Sequence, residues 1–165
     1  MTRAVILSGR DIGLAQQATA DVLLHLLHAA DTDFATWAVL DTLASRGVDV
    51  PRAPLVAAIA RRVGTGPSGV EQTVDDAEAA GLVRVVSPAD GDPAGVLLEL
   101  TPGGTARHRQ LRSAVDQATD HFFADIPRNE QRAAQRVLAE VTIRAESWLR
   151  HHASPDAGAA TEVAS

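Results

Sequence analysis

Apolar side chains recur at intervals of three and four residues along most of this 165-residue chain, with polar turn residues between the stretches. This spacing predicts a first helix over 11–30, a second helix after Asp33 and a third helix that ends at Gly64. Pro67 marks the first turn of a fourth helix, which Gly81 ends. Four helices therefore precede any strand signal.

Two short aliphatic runs follow, at 82–86 and 95–100, and a turn-rich segment with two Pro residues separates them. They predict an antiparallel hairpin with a long tip. Two more amphipathic helices are predicted, the first starting at Pro102, and their seven-residue spacings suit helix–helix packing. The tail, 153–165, has no periodicity and is predicted to be disordered. The predicted fold class is mostly α with one two-stranded hairpin.

Composition agrees with a helical core and excludes several kinds of site. Hydrophobic residues make up 45% of the chain but aromatic residues only 3%, so Leu, Val, Ile and Ala must fill one domain over 1–165. The absence of Cys excludes disulfides, thiolate metal sites and cysteine nucleophiles. Without a signal peptide, a membrane-spanning run or a phosphate-binding loop, we expect a cytoplasmic protein with no cofactor, metal or membrane partner.

The charge balance disfavours nucleic acid as a general partner. The formal net charge is −6, and all 15 basic side chains are Arg. The field of the whole molecule therefore repels phosphate, and DNA binding would require a local cluster of Arg residues.

Three short motifs carry a resemblance to a known family. They are Asp33-Phe-Ala-Thr-Trp-Ala-Val-Leu40, Ala80-Gly-Leu-Val-Arg84 and Leu98-Glu-Leu-Thr-Pro-Gly-Gly104. In their order and spacing, with the helices and hairpin around them, they resemble the MarR family over about residues 11–152. The resemblance implies a winged helix-turn-helix at 33–101 and dimerisation helices at 11–30 and 103–152. It also implies a small-molecule cleft between the two parts, in which most relatives bind an aromatic ligand.

The helix that would read DNA in such a fold carries no basic residue. Between Pro67 and Ala80 it has four carboxylates, Glu71, Asp75, Asp76 and Glu78. Bringing these carboxylates against a polyanion costs hydration and adds repulsion. Only Ser68, Gln72 and Thr73 are left to contact bases.

The predicted wing tip also argues against DNA binding. The resemblance implies an Asp-Arg pair whose Arg enters the minor groove, but this chain has Asp92-Pro93-Ala94 at that place. Arg61, Arg62 and Arg84 could contact phosphate without replacing a groove contact. The first hypothesis is therefore that DNA binding is weak or lost.

The first predicted helix carries a polar stripe that could perform chemistry. Asp21, His25 and His28 stand at i, i+4 and i+7 and so share one face. The Asp could orient one imidazole while the second His acts as an acid, or the three could hold a divalent metal. Alternatively, the stripe is a solvated helix face or polar packing in a dimer. Trp37 is either a core residue or a ligand-stacking residue beside it.

Three functions remain open on this sequence. In the first, a MarR-fold homodimer binds a small organic, aromatic or natural-product-like molecule, with His25 or His28 as acid or base if it has become a biosynthetic enzyme. The alternative is a ligand-responsive DNA-binding repressor of the MarR type. A third is a protein-interaction module whose acidic fourth helix mimics nucleic acid.

Overall fold

Helices dominate the computed structural model, which describes residues 7–86 and 95–152. In these ranges the elements are α1 Gly9–Ala29, α2 Phe34–Arg46, β1 Val50–Pro51, α3 Arg52–Val63, α4 Pro67–Ala79, β2 Val83–Val86, β3 Leu97–Leu100, α5 Pro102–Phe123 and α6 Arg128–His152. The mostly α class and the predicted order of helices and hairpin are confirmed. The predicted wing tip, Asp92-Pro93-Ala94, and the predicted disordered tail lie outside the described residues.

Helix α1 begins at Gly9, earlier than its apolar pattern indicated. The reason is a capping box in which the Ser8 side chain accepts from the Asp11 N–H while the Asp11 carboxylate accepts from the Ser8 N–H at 2.8 Å. The hydrogen bond from the Ser8 side chain to this carboxylate lowers the pKa of Asp11, and the bond from the Ser8 backbone N–H lowers it further.

The other helix ends follow the local signals that predicted them. The Asp33 side chain caps α2 by accepting from the Thr36 N–H at 2.7 Å. Gly64 ends α3 with φ +73°, and Gly81 follows α4 with φ +69°, a region in which a Cβ atom is strained. Only residues 64–66 separate the end of α3 from the start of α4.

The sheet has three strands, in the order β1-β3-β2, where the sequence predicted two. Val50 pairs with Leu98 and Pro51 with Leu97, both antiparallel, so the Val-Pro segment expected to be a turn is an edge strand. An edge position tolerates Pro because its missing N–H would not face a neighbouring strand. On the other side of β3, Arg84 of β2 pairs with Glu99.

The chain divides into two compact units, Met1–Ala118 and Thr119–Ser165. In the first, a core of buried side chains joins α2, α3, α4 and the sheet, with Leu27 from α1 and Leu111 from α5. The other core residues are Trp37, Ala38, Val39, Leu40, Leu43, Val50, Leu55, Val56, Ile59, Ala60, Val70, Val74, Ala77, Val83 and Leu98. This core holds α3 and α4 as a helix-turn-helix against the sheet.

The second unit contains the end of α5 and all of α6. No side chain of α6 is buried. Its exposed large apolar residues are Val137, Leu138, Val141, Ile143, Trp148 and Leu149, and Phe122, Phe123 and Ile126 precede them. An apolar surface of this extent is unusual on a soluble monomer.

Candidate functional site

Helix α4 presents a polar face opposite its buried one. Val70, Val74 and Ala77 point into the core, whereas Ser68 and Gln72 are exposed. The Thr73 hydroxyl donates to the Gly69 carbonyl at 3.0 Å, so it is engaged within its own helix. Of the three predicted base-contacting residues, Ser68 and Gln72 are the two that face solvent.

The acidic residues of α4 are partly paired. Arg52, the first residue of α3, reaches Glu71 at 2.6 Å and Asp75 at 2.6 Å. Burial lowers the pKa of the Arg52 guanidinium, but the hydrogen bonds to Asp75 and Glu71 outweigh burial and raise it above its usual value. Gln72 donates from Nε2 to Asp76 at 2.9 Å. Because Arg52 offsets part of the charge of Glu71 and Asp75, the net charge at the surface of α4 is less negative than its four carboxylates alone would give.

The three candidate phosphate-binding Arg residues differ in their surroundings. Arg84 is held across the hairpin by Glu99, with both Nε and Nη2 on one carboxylate oxygen at 3.0 and 2.6 Å. Arg62 lies 3.5 Å from Asp41 of α2. Arg61 is exposed and has no polar partner among the described residues.

A cleft of about 390 Å³ lies beside Arg61, where α3 turns into α4. Its lining consists of Ala57, Ala60, Arg61, Gly64, Thr65 and Pro67. No side chain caps the start of α4, so backbone N–H groups of its first turn lack side-chain acceptors. Arg61 and these N–H groups lie at the same helix-turn-helix junction.

The polar stripe of α1 is not an assembled catalytic set. Asp21, His25 and His28 are all exposed, and in the described ranges no hydrogen bond, ion pair or ring contact joins them. No group of three His, Asp or Glu side chains in the described part of the chain is arranged to hold a metal. No polar or charged side chain there is fully buried. Their roles in catalysis or ligand binding stay predictions.

The ring contact of Trp37 is with His108 of α5, whereas the sequence placed Trp37 beside the polar stripe of α1. Its ring, only 3% exposed, stacks on the His108 imidazole of α5 with 5.5 Å between centroids and 18° between planes. His108 Nε2 lies 3.4 Å from Asp41 Oδ1, and Asp41 also faces Arg62. The sequence missed this cluster because its members lie on three helices. The one local hint is that Asp41 follows Trp37 by one helical turn.

Arg107, beside His108, ties α5 to the end of α1. Its Nη2 donates to the Ala30 carbonyl and, at 2.8 Å, to the Thr32 hydroxyl. Two neighbouring residues of α5 thus make different contacts in the first unit. Arg107 binds the α1–α2 connection, and His108 stacks on Trp37 of α2.

Within the second unit, α5 and α6 enclose an open groove of about 950 Å³. Its lining is Thr119, Asp120, Phe123, Ala124, Ile126, Arg128, Gln131, Arg132, Ala134, Gln135, Leu138, Ala139 and Thr142. The Gln131 amide holds the turn between the helices by donating to the Ile126 carbonyl at 2.7 Å and the Phe123 carbonyl at 3.1 Å. The lining mixes apolar side chains, among them Phe123, Ile126 and Leu138, with polar and charged ones such as Asp120 and Arg128.

Solved structures share this architecture. The apo form of MarR from E. coli superposes with a TM-score of 0.64 at 22% identity, covering 83% of this chain and 98% of that chain. The transcriptional regulator PA3341 gives 0.69 at 23% identity, with 84% and 98% covered. NadR in complex with 4-hydroxyphenylacetate gives 0.63 at 23% identity, with 86% and 97% covered.

The chain therefore has the winged-helix fold of the MarR regulators, which confirms the fold expected from the resemblance. No family model matches the sequence, and no curated protein matches it either. None of the helices in the ranges 7–86 and 95–152 is both long and apolar enough to cross a bilayer.

Proposed function

We propose that this protein is a homodimeric, ligand-responsive transcriptional regulator of the MarR type that binds DNA through the α3–α4 turn. The observation that carries the proposal is the helix-turn-helix itself, which exposes Ser68 and Gln72 on one face. At the adjoining turn lies Arg61, which has no polar partner within 7–86 and 95–152. Amide and hydroxyl groups suit base edges and the guanidinium suits a phosphate. The solved regulators with this fold support the same function.

This proposal replaces weak or lost DNA binding as the primary hypothesis. That hypothesis depended on the acidic α4, which has no basic residue, and on the missing Arg at Asp92-Pro93-Ala94. Two of the four carboxylates of α4, Glu71 and Asp75, are ion-paired with Arg52, whereas the wing tip lies outside the described residues. The pairing also weakens the idea that α4 mimics nucleic acid. The enzyme hypothesis has no support in the geometry, because Asp21, His25 and His28 are exposed and no hydrogen bond or ion pair joins them in the described ranges.

Replacing Gln72 by Ala is expected to weaken binding to the preferred operator by about 1–3 kcal/mol and to relax specificity at one base pair. Replacing Arg61 by Gln is expected to weaken binding to all sequences and to reduce the slope of log K against log salt by about 1. Fluorescence anisotropy with DNA from upstream of the coding sequence, at several salt concentrations, measures both.

Gln16 provides a matched control, because it is an exposed Gln on α1 that Ala can replace without touching α4. The DNA proposal fails if the wild-type protein binds its upstream region no better than unrelated DNA. It also fails if Gln16→Ala and Gln72→Ala weaken binding equally.

A second copy of the chain is the proposed cover for the exposed apolar side chains of α1, α5 and α6. Leu14 and Leu24 of α1 are 56% and 49% exposed, and in the other unit α6 has an entirely unburied apolar face. Dimers that read two half-sites of an operator are the common arrangement for helix-turn-helix proteins. A symmetric dimer would bury the side of α6 that carries Val141, with Ile143 left on the opposite side of the helix, and would also supply the second recognition helix.

The proposed effector is a small aromatic molecule that binds near Trp37 and His108. NadR, which shares the fold, was solved with the aromatic acid 4-hydroxyphenylacetate. Here the His108 imidazole, which is partly exposed and stacks on the buried Trp37 ring, is the aromatic group that a ligand would contact, with Arg107 next along α5. His25 and His28 remain proposed lining residues on α1.

Aromatic carboxylic acids are expected to change the fluorescence of Trp37 and to release bound DNA. Replacing His108 by Ala is expected to weaken ligand binding about tenfold, because the imidazole would no longer donate a hydrogen bond to the carboxylate of the ligand. The measurement requires a Trp148→Phe background, because the second indole stacks on His152 and would contribute its own signal. His121→Ala, also on α5 but exposed, is the control. Equal ligand affinity in both His variants would contradict this location.

A further inference from the structure

Arg52 lies where α3, α4 and the sheet meet. Its backbone N–H donates to the Val96 carbonyl at 2.9 Å, just before β3. Its guanidinium crosses to α4, where Nε is 2.7 Å and Nη2 is 2.6 Å from the same oxygen of Glu71. Nη2 also donates to Asp75 at 2.6 Å. One side chain thus holds two carboxylates of the recognition helix.

The guanidinium faces these carboxylates and is less accessible than they are. The Arg52 side chain is 20% exposed, compared with 40% for Glu71 and 56% for Asp75. Two of its nitrogens are already committed to carboxylate oxygens. A phosphate would have to displace these charge-assisted hydrogen bonds to reach it, so direct contact with DNA is not its role.

We propose that Arg52 is a positioning residue that makes an acidic recognition helix compatible with DNA, by offsetting one of the two negative charges of Glu71 and Asp75 without touching DNA itself. This inference rests on the proposed function. The helix has no cation of its own in its last turn and four carboxylates along its length. Without Arg52, Glu71 and Asp75 would meet the phosphate backbone unpaired, and like charges brought together at an interface cost affinity.

Three variants separate charge cancellation from the other possible roles. Arg52→Gln is expected to weaken DNA binding about tenfold at low salt and by less at high salt. Adding Glu71→Gln and Asp75→Asn to this variant is expected to restore affinity to at least the wild-type level, because positions 52, 71 and 75 then carry no charge, whereas in wild type they carry one net negative charge. The double variant Glu71→Gln/Asp75→Asn without the Arg52 change is expected to bind at least as tightly as wild type.

If Arg52 contacts phosphate directly, or only braces the fold, then the triple variant should bind DNA as weakly as Arg52→Gln does. That result would overturn the proposal. Arg144→Gln is the control for net charge, since it also removes one cation from an ion pair, the one with Glu140 on α6. If Arg144→Gln lowers DNA affinity as much as Arg52→Gln does, then the effect belongs to overall charge and the inference is wrong.

Urea denaturation, which adds no salt that would screen the ion pairs, tests the pairing in the same variants in the absence of DNA. Arg52→Gln should lower the unfolding midpoint, and the triple variant should recover part of the loss, because two neighbouring carboxylates no longer repel each other. Equal midpoints for the two variants would contradict action through Glu71 and Asp75. Failure of every variant and of wild type to bind DNA would instead refute the proposed function, and the midpoints would still decide the role of Arg52.

Discussion

Replacing Gly104 by Ala is expected to destabilise the first unit by at least about 3 kcal/mol, because the added methyl group has no room. A Cβ atom at this position would lie 1.9 Å from the Leu82 carbonyl oxygen and 2.8 Å from its carbon. That carbonyl cannot easily retreat, since it accepts from the Thr101 N–H at 3.0 Å and from the Thr101 hydroxyl at 3.2 Å. The junction between the sheet and α5 therefore requires Gly104.

The neighbouring glycine is the matched control. A Cβ atom on Gly103 would meet its nearest atoms, the Gly81 carbonyl oxygen and the Thr101 hydroxyl, at 3.5 Å, which is ordinary van der Waals contact. Because Ala is the better helix former, Gly103→Ala is expected to leave stability unchanged or to raise it by up to about 1 kcal/mol. Urea denaturation followed by circular dichroism measures both variants. Similar midpoints for the two variants would show that position 104 accommodates a methyl group, and would contradict the prediction.

Replacing Val141 by Glu is expected to convert the proposed dimer into monomers and to reduce operator affinity by at least about a hundredfold, because each monomer would bind a single half-site. Val141 is 43% exposed on α6, and no residue of this helix is buried, so the substitution removes little packing within one chain. A carboxylate placed in an apolar interface has no partner there and opposes association. Light scattering coupled to size exclusion measures the mass.

Ile143 offers the same substitution on another side of the helix. It lies two residues further on, roughly 200° around α6, and is 59% exposed. Ile143→Glu is expected to leave the mass and the DNA affinity close to wild type. A wild-type protein that is monomeric at micromolar concentration, or equal effects of the two variants, would refute dimerisation through the face that contains Val141.

Local signals predicted the helices and most of their ends, because capping depends on residues within one turn. Asp33, Gly64 and the Gly66-Pro67 pair act through neighbouring backbone groups, so their meaning can be read without a tertiary structure. The early start of α1 was also readable in principle, from Ser8 and Asp11 three residues apart. The winged-helix fold itself was inferred from the resemblance of three short motifs, in the order of these elements, to the MarR family.

Strand β1 was beyond local reasoning. It consists of only Val50 and Pro51, and its hydrogen-bonding partners are Leu98 and Leu97, far along the chain. Neither residue carries a strand pattern by itself, since two residues cannot show alternation and Pro usually signals a turn. Pairing with β3 turns this segment into a strand, and that pairing exists only in the folded protein.

The candidate site shows the same division between local and distant information. The sequence places Ser68 and Gln72 on the solvent face of α4 by helical periodicity, and both are exposed, while their contact with bases stays a prediction. It could not find the stacking of Trp37 on His108, which joins two helices.

What the sequence determined by itself was the set of helices, their order and the number of charges on α4. Which charges remain unpaired was decided by tertiary structure. Arg52 meets Glu71 and Asp75 across 19 and 23 residues of sequence, and Arg84 meets Glu99 across the hairpin. Electrostatic energy depends on the distances between charges and on their burial, and neither quantity is contained in a count of residues.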